Sequence, residues 1–132
     1  MFAELIKKLL FGGGAGKRGS VSSSTENIIK KDWESVKQAL ISKSPSQLKQ
    51  AVMTADRALD AALKDIVSGE TMGDRLKNAQ PKFDQIVYNK IWEAHKIRNS
   101  LAHEAGYEPP YYVLIGAIDN LKKGLEVLKV RL

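Results

Sequence analysis

Apolar residues recur three or four positions apart through almost the whole stretch from residue 25 to residue 132. This spacing places them on one face of a helix, and no segment shows the alternation that is typical of a strand. The longest nearly continuous apolar run, residues 111–118, lies inside the pattern of the last predicted helix. We therefore predict an all-α fold.

Five helices are predicted from this spacing and from the residues that begin and end helices. They run from Ser24 or Thr25 to Ser42, from Ser44-Pro45 to Gly69, from Met72 to Ala79, from Phe83 to His103, and from Pro110 to Leu132. Because the loops between them are short, successive helices are expected to be antiparallel. The prediction is an up-down bundle of four main helices and one short helix. In the first of them, the apolar face is expected to contain Ile28, Ile29, Trp33, Val36, Leu40 and Ile41.

Residues 1–24 differ in composition from the rest of the chain. The first eleven residues form a short amphipathic pattern, with Lys7 and Lys8 on its polar side. The glycines and serines that follow predict a flexible linker. They do not form a phosphate-binding loop, because Phe11 stands where that motif needs its first glycine. We predict an N-terminal helix and linker over residues 1–24 and a helical bundle over residues 25–132.

The N-terminal segment has three interpretations: it lies on an anionic membrane, docks on a partner, or is a mobile tail. Its apolar face and the basic residues within residues 1–18 suit a weak contact with a membrane surface. The chain has no stretch of the roughly 20 apolar residues that span a bilayer, and we expect no secretory signal. We expect a cytoplasmic protein, either free or peripheral at the inner membrane surface.

The composition excludes several classes of chemistry. The chain has no cysteine and two histidines without zinc-type spacing, so we expect no metal site and no cofactor. The formal charge is +6; residues 1–20 carry four Lys/Arg and one Glu, and the other 112 residues carry 17 basic and 14 acidic residues. A basic balance favours polyanions such as RNA, DNA or anionic lipid. It is also common in soluble domains that bind none of them.

The hexapeptide from Arg98 to His103, RNSLAH, contains the strongest candidates for chemistry. Arginine is a permanent cation whose fork of donors suits phosphate, and histidine exchanges a proton near neutral pH. On a straight helix the two side chains point about 140° apart. A joint site therefore needs the helix to end near His103, a second chain, or both.

The fourth predicted helix has two faces. Its core face is expected to contain Phe83, Val87, Ile91, Ala94, Ile97 and Leu101. The opposite side contains Tyr88, Trp92, Asn99 and His103, with His95 between the two faces. A tryptophan on a face expected to be solvated indicates a contact, and a symmetric partner would bring two such faces together. Trp92 is thus a candidate for a dimer interface, or else a residue of the peripheral core.

The segment Trp92–Glu104, WEAHKIRNSLAHE, resembles the motif helix of HEPN domains, especially of small bacterial HEPN-like proteins. Arg98 and His103 fit the R-x4-6-H motif of that family, and Asn99 occupies the next position, which is often polar. The motif also lies late in the chain, at the end of a long helix. Asp56 resembles the acidic residue that some members carry on an earlier helix. The resemblance covers the whole predicted bundle.

This resemblance implies a metal-independent endoribonuclease, or a degenerate relative that binds RNA or nucleotides. Active members usually dimerise and bring two motifs into one cleft, and a toxin-like member would have an antitoxin partner. By the resemblance, His103 would be a general base or acid, Arg98 would hold the scissile phosphate, and Asn99 would orient a catalytic group or the phosphate. Asp56 and His95 would support RNA or phosphate binding. The product would carry a 2′,3′-cyclic phosphate.

Each of these residues also has a purely structural interpretation. His103 in the last turn of a helix interacts favourably with the helix dipole. Arg98 can pair with an acid on a neighbouring helix, such as Asp56 or Asp60, and His95 can be a surface or packing residue. The competing functional class is non-catalytic: a helical module for protein interaction or for nucleotide or RNA binding, tethered to a membrane surface by its N-terminal helix.

Overall fold

The computed structural model describes residues 19–132, and this part of the chain contains helices and loops but no strand. The five helices are α1 (Ser23–Ser42), α2 (Pro45–Ile66), α3 (Met72–Asn78), α4 (Gln85–His103) and α5 (Tyr111–Val127), with a 3₁₀ turn, Gln80–Lys82, between α3 and α4. The predicted all-α class is confirmed. The predicted amphipathic N-terminal helix and most of the predicted linker lie outside the described residues. No helix in the described part is both long and apolar enough to cross a membrane.

Side-chain caps fix the starts of three helices. Ser22, Thr71 and Asp84 each accept a hydrogen bond from the backbone N–H three residues further on, at 3.2, 3.0 and 2.9 Å. Such a bond satisfies one of the N–H groups that the first helical turn leaves unpaired. At α2 the first residue is Pro45, which lacks an N–H and already has a helical φ angle.

The helix α2 lies at the centre of the fold and packs against α1, α4 and α5. Its fully buried residues include Leu48, Val52, Ala55, Leu59, Ala62 and Leu63. Gly124 marks a close approach of three helices. A Cβ atom at that position would lie 2.9 Å from Ile91 Cδ1 of α4 and 3.4 Å from Leu59 Cδ1 of α2.

Contacts between helix ends give the directions of the long helices. The backbone N–H of Ser22, just before α1, donates to Asp65 Oδ2 near the end of α2 at 2.9 Å. Those two helices are therefore antiparallel. The early part of α4, at Ile91, meets the late part of α5, at Gly124, so this pair is antiparallel as well.

The buried face of α1 is narrower than predicted. Ile28 and Ile41, both expected in the core, are 60% and 74% exposed. The buried residues of α1 are Ile29, Trp33, Val36 and Ala39. Because α1 packs mainly against the single helix α2, only this narrow stripe is covered.

The last helix ends before the predicted position. Lys129 adopts a left-handed backbone conformation, with φ of 67°, and the N–H of Val130 donates to Leu125 O at 3.0 Å. This reversal places Val130 in the core, where it is 2% exposed. A short reversed segment therefore replaces the final turn of the predicted helix.

Candidate functional site

A buried carboxylate joins α2 to α4. Asp56 is only 3% exposed, because it lies on the side of α2 that contacts His95 and Arg98 of α4. Burying an ionised carboxylate is unfavourable unless charged or hydrogen-bonding groups surround it. Two residues of α4, His95 and Arg98, provide those groups.

The contact between His95 and Asp56 is close and involves both carboxylate oxygens. His95 Nδ1 lies 3.1 Å from Oδ1 and 3.0 Å from Oδ2 of Asp56, and His95 itself is buried. Arg98 forms a longer ion pair, with Nε 3.6 Å from Asp56 Oδ2. Its side chain is 34% exposed, so the guanidinium is held at one end and open to solvent elsewhere.

Burial raises the pKa of the Asp56 carboxyl above its ordinary value of 3.8. The hydrogen bond and the charge of His95, together with the charge of Arg98, oppose this rise, whereas the nearby Asp60 adds to it. Desolvation is the largest of these effects. The ionised form of Asp56 therefore depends on the two basic side chains of α4.

Arg98 also contacts its neighbour in the motif. Arg98 Nη1 donates a hydrogen bond to Asn99 Oδ1 at 3.2 Å. This bond orients the amide of Asn99, which leaves its NH₂ group free to donate to a ligand. Arg98 and Asn99 are both partly exposed, and they present a cationic and a neutral set of donors side by side.

These groups line a pocket of about 620 Å³ between α2, α4 and the start of α3. Asp56, His95, Arg98 and Asn99 form its polar wall, and Trp92 forms part of its apolar wall. The Trp92 ring stands edge-on to His95, with centroids 5.8 Å apart and an interplanar angle of 72°. The pocket is large enough for a small organic ligand or a nucleotide.

The structure decides which acid pairs with Arg98. Asp56 is its partner, whereas Asp60 binds Arg75 of α3 through two parallel hydrogen bonds of 2.7 and 2.9 Å. Arg75 Nη1 also donates to Gly69 O at 2.7 Å. This buried fork holds α3 and the loop before it against α2, and so supports one side of the pocket.

His103 lies outside this pocket. It is the last residue of α4 and is exposed. The helix stays regular to its end, because Glu104 N donates to Ser100 O at 2.9 Å. A single chain therefore does not bring His103 to Arg98, and the geometric separation expected from the sequence is found in the fold.

One expectation about α4 was wrong. The side that carries Tyr88 and Trp92 was expected to be solvated, but Tyr88 is 8% exposed and Trp92 is partly buried. The start of α3 covers this side, and a Cβ atom on Gly73 would lie 3.5 Å from Trp92 Cη2. Trp92 therefore packs within its own chain, and its role at an interface between copies stays a prediction.

Several pocket residues were not singled out from the sequence. Gln50, Met53 and Arg57 of α2 line the pocket together with Asp60. Their spacing of three and four residues places these side chains, polar except for Met53, on one stripe beside the apolar stripe of the same helix. This pattern in the sequence could have identified α2 as the second wall of the pocket. Within residues 19–132, no three acidic or histidine side chains come together as a metal site.

Comparison of the chain with protein-family models, with curated proteins and with solved structures finds no match.

Proposed function

We propose that this chain is a HEPN-like helical bundle that acts on RNA as a metal-independent endoribonuclease, with its active cleft formed between two copies. The observation that carries the proposal is the anchoring of Arg98. The buried Asp56 holds Arg98 Nε, and the rest of the guanidinium stays open to solvent beside Asn99. An arginine held in this way is pre-oriented for a phosphodiester.

The proposed chemistry uses the ribose of the substrate as the nucleophile. The 2′-oxygen forms a bond to the adjacent phosphorus, and the bond from phosphorus to the 5′-oxygen breaks. One general base removes the 2′-hydroxyl proton, and one general acid gives a proton to the leaving 5′-oxygen. Arg98 and Asn99 would stabilise the charge on the phosphoryl oxygens, and His103 would serve as base or acid.

The geometry of α4 supports a cleft between two copies. Arg98 and His103 lie five residues apart, which is about 7.5 Å along the helix axis and about 140° around it. In a symmetric dimer, the exposed His103 of one copy can approach Arg98 of the other. A monomer would lack that pairing.

The nuclease test is cleavage of RNA in the presence of EDTA. The wild-type chain should leave 2′,3′-cyclic phosphate ends, and His103→Ala should reduce the rate by about 10²-fold or more. Because His103 is exposed, this variant should keep the fold, which circular dichroism can verify. Glu93→Ala, another exposed residue of α4, is the matched control and should retain full activity. RNA that stays intact at high protein excess would rule out the nuclease.

The two-copy cleft has its own test, which mixes two inactive variants. Arg98→Ala and His103→Ala are each expected to be inactive alone. After subunit exchange, half of the dimers contain one chain of each kind, and each of these has one intact cleft of two. The mixture should therefore recover about a quarter of wild-type activity. No recovery, or a monomer by light scattering, would argue against the composite cleft.

A second candidate function is favoured by the pocket itself. Its arginines, Arg57 and Arg98, and the ring of Trp92 are suited to a phosphate and a base, respectively. A non-catalytic domain could use these groups to bind a nucleotide or single-stranded RNA. Tight binding of RNA without cleavage, weakened by Arg98→Ala, would support this candidate over the nuclease.

A further inference from the structure

The proposed function leaves the second ring nitrogen of His95 without a role. His95 is bound to Asp56 through Nδ1 only. Every fully buried side-chain nitrogen or oxygen in the described part of the chain has a hydrogen-bond partner. Since no such partner is found for Nε2, this atom is not fully buried. His95 lines the pocket, and Nε2 is the ring nitrogen that Asp56 leaves unbound.

An aspartate bound to one ring nitrogen of a histidine determines what the other nitrogen can do. An ionised Asp56 accepts the proton of Nδ1–H, so the neutral imidazole carries its lone pair on Nε2. The aspartate also fixes the orientation of the ring and stabilises the imidazolium that forms when Nε2 takes up a proton. The arrangement is that of a general base with its positioning residue.

The neighbours of His95 supply a place for the phosphate. Arg98 and Asn99 follow His95 by three and four residues on the same helix, so all three side chains lie on adjacent positions of one face. The charged groups that line this pocket are Asp56, Arg57 and Asp60 of α2 and Arg98 of α4; α3 contributes Met72 and Gly73. A phosphodiester bound at Arg98 would therefore lie beside His95.

We propose that His95 is a further catalytic residue, the general base that takes the proton of the ribose 2′-hydroxyl, with Asp56 as its positioning residue. The inference rests on the proposed RNA cleavage and assigns its two proton transfers to different histidines. The 2′-hydroxyl proton goes to His95 Nε2 as the bond from the 2′-oxygen to phosphorus forms. The proton on the leaving 5′-oxygen comes from a protonated His103 of the second copy. Exchange with water restores both histidines.

The kinetic experiment compares His95→Gln, Asp56→Asn and His103→Gln with the wild-type chain, on a short RNA in EDTA. His95→Gln should lower kcat by about 10²-fold or more and change KM little. It should also remove the limb of the pH profile that rises with deprotonation of the base. Glu93→Gln, an exposed position on the same helix, is the control and should match the wild type in both parameters.

The outcomes separate the two proposals. If the wild type leaves RNA intact, both fail. If His103→Gln is inactive whereas His95→Gln keeps the wild-type kcat and pH profile, the proposed function stands and the role of His95 is overturned. A full loss in His95→Gln with a native circular dichroism spectrum supports it.

A spectroscopic measurement keeps the proposal testable even if His95→Gln does not fold. The chain has two histidines, so ¹⁵N imidazole spectra contain two sets of signals, and His103→Gln assigns them. Neutral His95 should carry its proton on Nδ1. In Asp56→Asn, whose amide can donate to Nδ1, the proton should move to Nε2 and kcat should fall. A wild-type His95 with its proton on Nε2 would overturn the assignment, since that nitrogen could not accept a proton.

Discussion

His95 Nδ1 lies 3.1 and 3.0 Å from the two carboxylate oxygens of Asp56, across the interface of α4 and α2. These residues are 39 positions apart in the chain, and both are buried. The contact therefore belongs to the core and to the candidate site together. Changes at this pair should affect stability and activity in separable ways.

The stability of the protein should depend on the ionisation of Asp56. Because burial raises the pKa of Asp56 in the folded chain above its ordinary value of 3.8, the folded state holds that proton more tightly than the unfolded state. This tighter proton binding stabilises the folded state fully at pH values below 3.8. The stabilisation is lost as the pH rises through the pKa of Asp56 in the folded chain. Asp56→Asn should therefore gain stability relative to the wild type over the range that begins at about pH 4 and extends upward through the folded pKa of Asp56. Urea unfolding of both proteins across this range is the measurement, and an opposite slope would contradict the prediction.

Arg75 should contribute more to stability than a surface ion pair does. Arg75→Lys keeps the charge but loses the two-pronged contact with Asp60 and the bond to Gly69 O. We expect a loss of about 2 kcal/mol in the free energy of unfolding. Lys123→Ala, which removes an exposed pair with Asp119, is the comparison and should cost less than about 0.5 kcal/mol. If both changes lower the free energy of unfolding equally, the buried contacts of Arg75 stabilise the fold no more than an exposed ion pair does.

Two glycines of α5 should respond oppositely to alanine. At Gly124 a Cβ atom would lie 2.9 Å from Ile91 Cδ1 and 3.2 Å from its Cγ1. Ile91 is fully buried, so Gly124→Ala should destabilise by about 1 kcal/mol or more through overpacking. At Gly116 nothing lies within 4 Å of the place that a Cβ atom would occupy, so Gly116→Ala should stabilise by about 0.5–1 kcal/mol through helix propensity. Thermal unfolding of both variants checks the signs.

Glu26 should stabilise the fold at neutral pH but not in acid. Hydrogen bonds from the side chain and backbone of Arg131 lower the pKa of Glu26 below its ordinary value of 4.5. The contribution of ionised Glu26 to stability is present at pH values above 4.5. It is lost as the pH falls through the pKa of Glu26 in the folded chain. Glu26→Gln should therefore be less stable than the wild type at neutral pH, and the two should converge in acid. Urea midpoints at both pH values, with added salt as a second variable, provide the measurement. A difference that persists in acid would contradict the electrostatic origin.

Local sequence signals predicted several helix boundaries correctly, although α2 ends at Ile66 and not at the predicted Gly69. The Ser44-Pro45 start of α2, the Thr71 cap and the end of α4 at His103 all agree with the structure. The start of α1 was predicted two or three residues late, because consecutive serines offer equivalent caps. Only the fold selects Ser22, whose N–H also binds Asp65.

The candidate site was predicted in part. Asp56, His95, Arg98 and Asn99 were named from the sequence, and the structure brings them together in one pocket. The sequence left the partner of Arg98 open between Asp56 and Asp60, since both lie on the same helix. It could not show that His95 is buried, because this depends on α2 and α3 packing over its side of α4.

The unbroken regularity of α4 up to His103 has a consequence for how activity could be controlled. A rigid helix fixes the offset between the anchored guanidinium and the terminal imidazole within each copy. In the proposed two-copy cleft, the distance between the reacting groups would then be determined only by the angle and shift at which the two copies meet. Substitutions far from the pocket, or a bound partner that rotates one copy by a few degrees, would then switch the proposed cleavage off while leaving every residue of the pocket in place.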